Sequence, residues 1–285
     1  MRGLVFSIDD AYVMPFKVLW HSLIKTDSIP LNTPVFILHE SSLSQGSIDE
    51  LTKLIGNNGF NCSFIDATSL LPDDLPIKDG DHVSKATFYR LYVASVLPES
   101  ITSVVYLDSD AFVLRSIKPL FDLKLTAPVA AVDHLSPSNA LRLWGDISGT
   151  YFQAGVLIID IDAWRTANYE SVFKKILREE RSKIQWWDQC VLNLAFNENW
   201  QRLPIWYNVC ASVRKIVDLD QIESRGCFIH LDGSGKPWKI FSRQAHFLHW
   251  YDAYSQAFGA SFNIRALFRK RVRSKVHWLF SKLYS

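Results

Sequence analysis

The stretch from Val104 to Leu114, VVYLDSDAFVL, sets Asp108 and Asp110 one residue apart inside a run otherwise as apolar as a buried strand. Two carboxylates this close repel, so a fold that keeps both ionised at a strand end holds them with a cation or with hydrogen-bond donors. A metal ion is the first suspect. For an Asp-x-Asp taken alone, a polar strand end with one capping and one solvated charge remains an open reading.

Outward from this stretch, further short apolar runs follow the same plan: GLVFSI at 3–8, VFILHE at 35–40, CSFID at 62–66 and VAAVDH at 129–134. Segments with helical spacing separate them, among them Val13 to Ile24 and Ser44 to Asn57. YFQAGVLIIDIDAW at 151–164 reads as another buried strand, and Tyr169 to Ser182 and Asp188 to Phe196 read as helices. Such alternation predicts an α/β fold with a mostly parallel central sheet covered by helices. Ligands of such sheets bind at the carboxyl ends of the strands, where Asp9, Asp10, Asp108 and Asp110 all fall.

At 285 residues the chain has room for one sizeable α/β core with an appendage. Hydrophobic residues make up 48% and charged residues 21%, as in a soluble globular protein, and 10 Trp and 10 Tyr offer flat faces for sugars or nucleobases. The four cysteines show no metal-binding or Cys-x-x-Cys spacing and read as reduced thiols of a cytoplasmic protein. No secretion signal and no apolar run of bilayer-spanning length is evident. After Asp252 there is no acidic residue, whereas Arg265, Arg269, Lys270, Arg271, Arg273, Lys275 and Lys282 follow. Subtracting those seven charges from the net +2 leaves −5 for the rest, so the tail rather than the body is expected to meet an anionic partner. Between the cations, Ile264, Leu267, Phe268, Val272, Val276, Leu279, Phe280 and Leu283 recur at helical spacing. This is the pattern of an interfacial amphipathic helix. The expected division is a body at 1–255 and a basic amphipathic tail at 256–285, with a helix packed on the protein's own surface as the other reading of the tail.

No Gly-x-Gly-x-x-Gly follows the first strand and no Walker-type loop is present, so a diphosphate would be held by other means. A metal ion bridging its oxygens would serve, and Asp-x-Asp with one further ligand suits Mn²⁺ or Mg²⁺, an imidazole ligand favouring Mn²⁺. HLDGSGKPW at 230–238 supplies the candidates. His230 can donate a lone pair to a metal, Gly233 and Gly235 let backbone N–H groups approach an anion, and Lys236 places a charge on a phosphate oxygen. Each residue singly could equally be a turn former or a surface charge.

Taken in order, FSIDDAY, HVSKATFYRL, YLDSDAFVL, FQAGVLIIDIDAWR, WWDQCVLN and HLDGSGKPW resemble family 8 of the retaining glycosyltransferases over roughly residues 1–250. That family includes galactosyl- and glucosyltransferases that build bacterial lipopolysaccharide and lipooligosaccharide, and is related to glycogenin. The resemblance implies a single nucleotide-sugar-binding domain of Rossmann-like type, the GT-A fold. It implies Asp108, Asp110 and His230 as ligands of Mn²⁺, with Mg²⁺ as the alternative. Asp9 and Tyr12 match positions on the uracil, and Gly233 and Lys236 match diphosphate contacts. His82, Arg90, Ser109, Ala154 and Gly155 match the donor surround, and Asp188 and Gln189 match the sugar contacts, with Gln189 beside the anomeric carbon.

Two positions depart from the family pattern: Gln153 stands where Asn is usual, and Ala11 where Asn often follows the paired aspartates. The function so implied is transfer of galactose or glucose from UDP-galactose or UDP-glucose to a hydroxyl of a surface glycan such as lipopolysaccharide core or O-antigen. A lipid-linked acceptor and an anionic membrane surface, met by the tail at the inner face of the cytoplasmic membrane, are the expected partners, and nucleic acid is not. Two rivals stay open. A non-catalytic nucleotide-sugar-binding protein would share the fold, and an aspartyl phosphatase also uses Asp-x-Asp, although on its first strand and followed by a Gly-Thr-like pair rather than Ala111-Phe112.

Overall fold

VVYL forms a central strand because it is apolar towards both of its faces. Val104 and Tyr106 enter one core and Val105 and Leu107 the other, the period-2 alternation of a strand covered on both sides. The structure, a computed structural model, describes residues 1–78, 81, 83–146, 149–240 and 244–267. His82 and the basic tail beyond residue 267 therefore lie outside the described residues.

The strands are β1 (Arg2–Ile8), β2 (Val35–His39), β3 (Cys62–Asp66), β4 (Ser103–Leu107), β5 (Ala111–Val113), β6 (Val129–Asp133), β7 (Phe152–Asp160), β8 (Gln201–Leu203) and β9 (Phe228–His230). The helices are α1 (Val13–Lys25), α2 (Gln45–Gly56), α3 (Val93–Val96), α4 (Pro137–Trp144), α5 (Ile161–Thr166), α6 (Tyr169–Glu179), α7 (Trp187–Phe196), α8 (Leu219–Arg225) and α9 (Ala245–Phe258). Seven strands make the main sheet in the order β3-β2-β1-β4-β7-β6-β8. The pairs β3·β2, β2·β1, β1·β4 and β6·β8 are parallel, while β7 runs antiparallel to both of its neighbours. The helices begin where local chemistry allows it: Ser44 caps α2 by accepting from the Ser47 N–H, and Asp160 caps α5 by accepting from the Ala163 N–H.

β5 and β9 form a separate antiparallel ribbon in which Ala111 pairs with His230. A third apolar cluster fastens this ribbon to α1 and α9 through Val18, Phe112, Ile229, Phe247 and Trp250. α9 continues across the 255/256 position, and beyond it Phe262 stacks on Tyr251 with ring centroids 5.4 Å apart. Among the described residues no helix is long and apolar enough to cross a membrane.

Candidate active site

The site begins where β4 stops. After Leu107 the Asp108 N–H donates to the Gly155 carbonyl of β7 (2.8 Å), and the chain turns through Ser109 before β5 starts. The pairing of Ala111 with His230, continued by the Leu231 N–H donating to the Asp110 carbonyl (2.9 Å), brings the HLDGSGKPW segment beside the two aspartates. Two stretches more than a hundred residues apart thus meet through a three-residue ribbon. One ligand atom from each of Asp108, Asp110 and His230 lies within 4.8 Å of the others. His230 Nε2 is 3.2 Å from Asp110 Oδ1 and 3.6 Å from Asp108 Oδ2.

Two buried cations frame these carboxylates. The Lys236 ammonium is paired with Asp110 Oδ2 and donates to the Leu231 carbonyl (2.6 Å). Burial pushes the Asp110 carboxyl up, but Lys236 and His230 outweigh it and hold the group well below the ordinary carboxylate range. Burial works against a charged His230 as well, and there Asp110 and Asp108 prevail, leaving the imidazole raised. On the other side Arg90, 4% exposed, reaches Asp108 Oδ1 with Nη2 (2.7 Å), Asp188 Oδ2 with Nε (3.0 Å) and the Ala154 carbonyl with Nη1 (2.6 Å). Its guanidinium lies 4.4 Å from the centroid of the Tyr106 ring, whose hydroxyl donates to Asp108 Oδ1 (3.3 Å). Arg90 therefore serves as a shared counter-ion of two carboxylates.

Asp188 is not a helix cap. The N-cap of α7 is Trp186, and the Asp188 carboxylate turns instead to Arg90 and to the Thr87 hydroxyl (2.8 Å). Burial pushes its carboxyl up to about 6 against the pull of Arg90. The residue before it, Trp187, has φ 42°, a backbone conformation that costs a bulky side chain on the order of 1–3 kcal/mol and is found where surrounding structure imposes it. Gln189 is pinned at both ends of its amide: Oε1 accepts from the Ala154 N–H (3.0 Å) and Nε2 donates to the Tyr151 hydroxyl (3.1 Å).

The carboxylates, the two cations, His230 and Gln189 face one cavity of about 600 Å³, within the usual range for small-molecule sites. Asp9, Tyr12, Arg90, Asp108, Ser109, Asp110, Ala154, Asp188, Gln189, His230, Gly233 and Lys236 line it. Gly233 holds φ +84°, where a side chain would be strained, at the turn that returns Lys236 to the carboxylates. Gly155 lies behind His230, since a Cβ there would stand 2.3 Å from the ring's Cε1. Asp10 goes elsewhere: its carboxylate accepts from Ser44 and Ser47 at the start of α2.

Gln153 is turned inward, with Oε1 accepting from Asn208 Nδ2 and from the Gly155 N–H, both at 2.5 Å. Thr87 and Tyr106 lie within the HVSKATFYRL and YLDSDAFVL stretches but take no role from the sequence alone, and Tyr151 and Asn208, which hold Gln189 and Gln153, belong to none of the quoted family motifs. Of these only Tyr106, two residues before Asp108 along the extended chain, could have been inferred from spacing.

The galactosyltransferase LgtC, solved in complex with donor and acceptor sugar analogs, aligns with a TM-score of 0.76 at 20% identity, over 93% of this chain and 99% of its own. The fold is therefore the GT-A fold. Glycosyltransferase GlyB of Streptococcus pneumoniae is 25% identical over 257 residues, 85% of this chain and 58% of its own length. A lipopolysaccharide 1,2-glucosyltransferase of Escherichia coli is 28% identical over 172 residues, 55% of this chain and 51% of its own length. The chain thus spans little more than half the length of these curated relatives. The sequence profile described as glycosyl transferase family 8 matches residues 3–241, which take in β1 through the whole HLDGSGKPW segment, and the chain belongs to that family.

Proposed function

We propose that the protein is a metal-dependent, retaining hexosyltransferase that moves galactose or glucose from a UDP-sugar to a hydroxyl of a bacterial surface glycan. The observation that carries this reading is the convergence of Asp108, Asp110 and His230 at the mouth of β4, beside a cavity that also holds Arg90, Asp188 and Lys236. The names of the relatives, a lipopolysaccharide glucosyltransferase and a galactosyltransferase, support the substrate class.

Two carboxylate oxygens and one imidazole nitrogen suit Mn²⁺, with Mg²⁺ as the alternative. A bound ion would supply Lewis-acid stabilisation of the charge on the departing diphosphate. Asp9 and Tyr12 would receive the base, and the backbone at Gly233 the diphosphate. Lys236 would move from Asp110 to a phosphate oxygen and share the developing charge there. Asp188 and Gln189 would receive the sugar.

Of these two, Gln189 has an uncharged amide engaged at both ends, and Asp188 has its carboxylate bound to Arg90 and Thr87. Neither is disposed as a nucleophile, which favours front-face attack. The acceptor oxygen then bonds to the anomeric carbon as the bond from that carbon to the phosphate oxygen breaks, and the acceptor's proton passes to the leaving diphosphate. Incubation with a panel of UDP-sugars and Mn²⁺ tests the whole reading. Slow UDP release from a single UDP-hexose, abolished by EDTA, is the expected result. No release from any UDP-sugar, with binding retained, would make the protein a non-catalytic binding module.

The tail at 256–285 is assigned to an anionic membrane surface at the cytoplasmic face, where a lipid-linked acceptor would be met. Six cations follow residue 267 and no acidic residue does, and each contributes on the order of 1 kcal/mol near an anionic leaflet. Ending the chain after Leu267 keeps Phe262 on Tyr251 and removes those cations. The truncated protein should hydrolyse UDP-sugar at the full rate and fail to float with anionic liposomes at low salt. Equal flotation of the full and truncated chains would refute the membrane role.

A further inference from the structure

We propose that the acceptor carries an anionic substituent, a phosphoryl or carboxylate group, and that Lys215 binds it in the arm of the cavity walled by Leu135, Trp186 and Ile216. The inference deepens the transferase reading above and rests on it for its functional meaning.

The residues assigned to base, diphosphate, metal and donor sugar leave part of the cavity wall without a role. That part comes from three separate segments: the loop 134–138 between β6 and α4, Trp186 and Trp187 at the start of α7, and the turn that carries Lys215 and Ile216. Leu135, Trp186 and Ile216 are exposed apolar side chains on this arm. Two backbone conformations beside them are unfavourable for bulky residues, with φ 55° at Leu135 and φ 42° at Trp187. Such conformations persist where the surroundings impose them, and they cluster at ligand clamps. Here the surroundings are evident: the Leu135 N–H donates to Asp133 Oδ1 (2.9 Å) and the His134 N–H to the Tyr151 carbonyl (2.8 Å). The indole of Trp186 is held as well, its Nε1–H donating to Asn139 Oδ1 (2.9 Å). An anchored, exposed indole offers a flat apolar face to a sugar ring.

Charge decides what kind of sugar fits. Among the described residues three lysine and arginine side chains line the cavity: Arg90, Lys215 and Lys236. Arg90 is paired with Asp108 and Asp188, and Lys236 with Asp110. The carboxylates near the arm are also engaged. Asp133 accepts from Leu135, and Asp232 accepts from the Ala211 N–H (2.7 Å) and pairs with Arg214 (3.2 Å). Lys215 is exposed and has no ion-pair partner among the described residues. Its charge reaches His134, where burial first, and then His230 and Lys215, hold the imidazole below its ordinary value against Asp232 and Asp133. With that ring neutral, the uncompensated charge of the arm is the Lys215 ammonium. An ammonium flanked by apolar side chains attracts an anion more strongly than one in open water.

The test loads the full chain with Mn²⁺ and UDP and titrates it with methyl glycosides that differ in one substituent: a neutral hexoside, its phosphate ester, the matching hexuronide and an amino analogue. Calorimetry gives Kd for each, and kcat/KM for transfer to the same four is measured with the UDP-sugar that the protein accepts. One anionic glycoside should bind about tenfold tighter than the neutral parent, the scale of a hydrogen bond to an ionised group, and the phosphate and uronate arms tell which anion is read. The preference should shrink at high salt. Lys215→Gln should remove it, and Lys215→Glu should turn it towards the amino analogue. A wild type that binds the neutral hexoside as tightly as either anion, a preference that survives Lys215→Gln, or no binding of any of the four would overturn the proposal. So would a loss of UDP affinity in Lys215→Gln as large as the loss for the anionic glycoside, since Lys215 would then serve the donor diphosphate. The expected binding preference without transfer from any UDP-sugar would leave the anion site standing and remove the transferase reading, so the two fail separately.

Discussion

Asp110→Asn is expected to lower UDP release in the presence of Mn²⁺ by about a thousandfold or more. A Lewis-acid contribution of several kcal/mol, at 1.36 kcal/mol per tenfold in rate, gives that scale. The substitution keeps the shape of the side chain and removes the charge that faces both His230 Nε2 and the Lys236 ammonium. Asp108→Asn should cause a similar loss of rate by the same route. The two differ in their secondary effect, because Lys236 is 3% exposed and, among the described residues, keeps the Leu231 carbonyl and an amide oxygen once Asp110 is neutral. Rates over a Mn²⁺ titration, read beside a thermal melt of each variant, separate loss of the ion from loss of the fold. Transfer that survives in EDTA, in the wild type or in either variant, would refute the assignment of these carboxylates to a metal.

Asp108 and Asp110 were legible as a candidate site because a charged pair at the end of an apolar strand violates the pattern around it. The strand itself was legible because both faces of β4 are covered and its residues are apolar without interruption. The ribbon of β5 with β9 was not, since three residues carry too little periodicity to reveal a partner more than a hundred positions away. The antiparallel course of β7 was hidden for a related reason: a strand buried on both faces shows the same composition whichever way it runs. Asp188 illustrates the limit within the site. A carboxylate in the first turn of a helix reads equally as a cap or as a site group, and the decision lies in Arg90 and Thr87, which reach it from about a hundred residues earlier in the chain. Asn208 could not be read at all, because a single buried amide has no spacing rule, and Gln153 stood out only as a departure from the family pattern. Their contact appears once the bulge in β7 and the single bridge between Val209 and Ile229 bring them together.

The largest expected effect on stability belongs to Arg90. Its guanidinium donates to Asp108, to the Ala154 carbonyl and through Nε to the Thr87 carbonyl (3.1 Å), and is ion-paired with Asp188. Arg90→Met removes this shared cation and leaves Asp188, 3% exposed, as a buried charge without a counter-ion. Breaking a buried ion pair from one side costs about 3–5 kcal/mol, which for a chain of this size lowers Tm by on the order of 10 °C. Arg90→Lys should recover little, because a point-like ammonium cannot reach the four partners that the planar guanidinium spans. The cost should also depend on pH with a definite sign. In the wild type burial already pushes the Asp188 carboxyl up to about 6, and removing Arg90 pushes it further. A carboxyl raised above its unfolded value binds more protons in the native state, so its contribution to stability falls as pH rises through that interval. The deficit of Arg90→Met relative to wild type should therefore be small near pH 5 and full near pH 8. Adding Asp188→Asn to Arg90→Met should restore most of the lost stability at pH 8 without restoring turnover, the non-additivity expected of residues in one network. A deficit independent of pH, or no recovery in the double variant, would mean that Arg90 holds the Ala154 backbone rather than balancing Asp188.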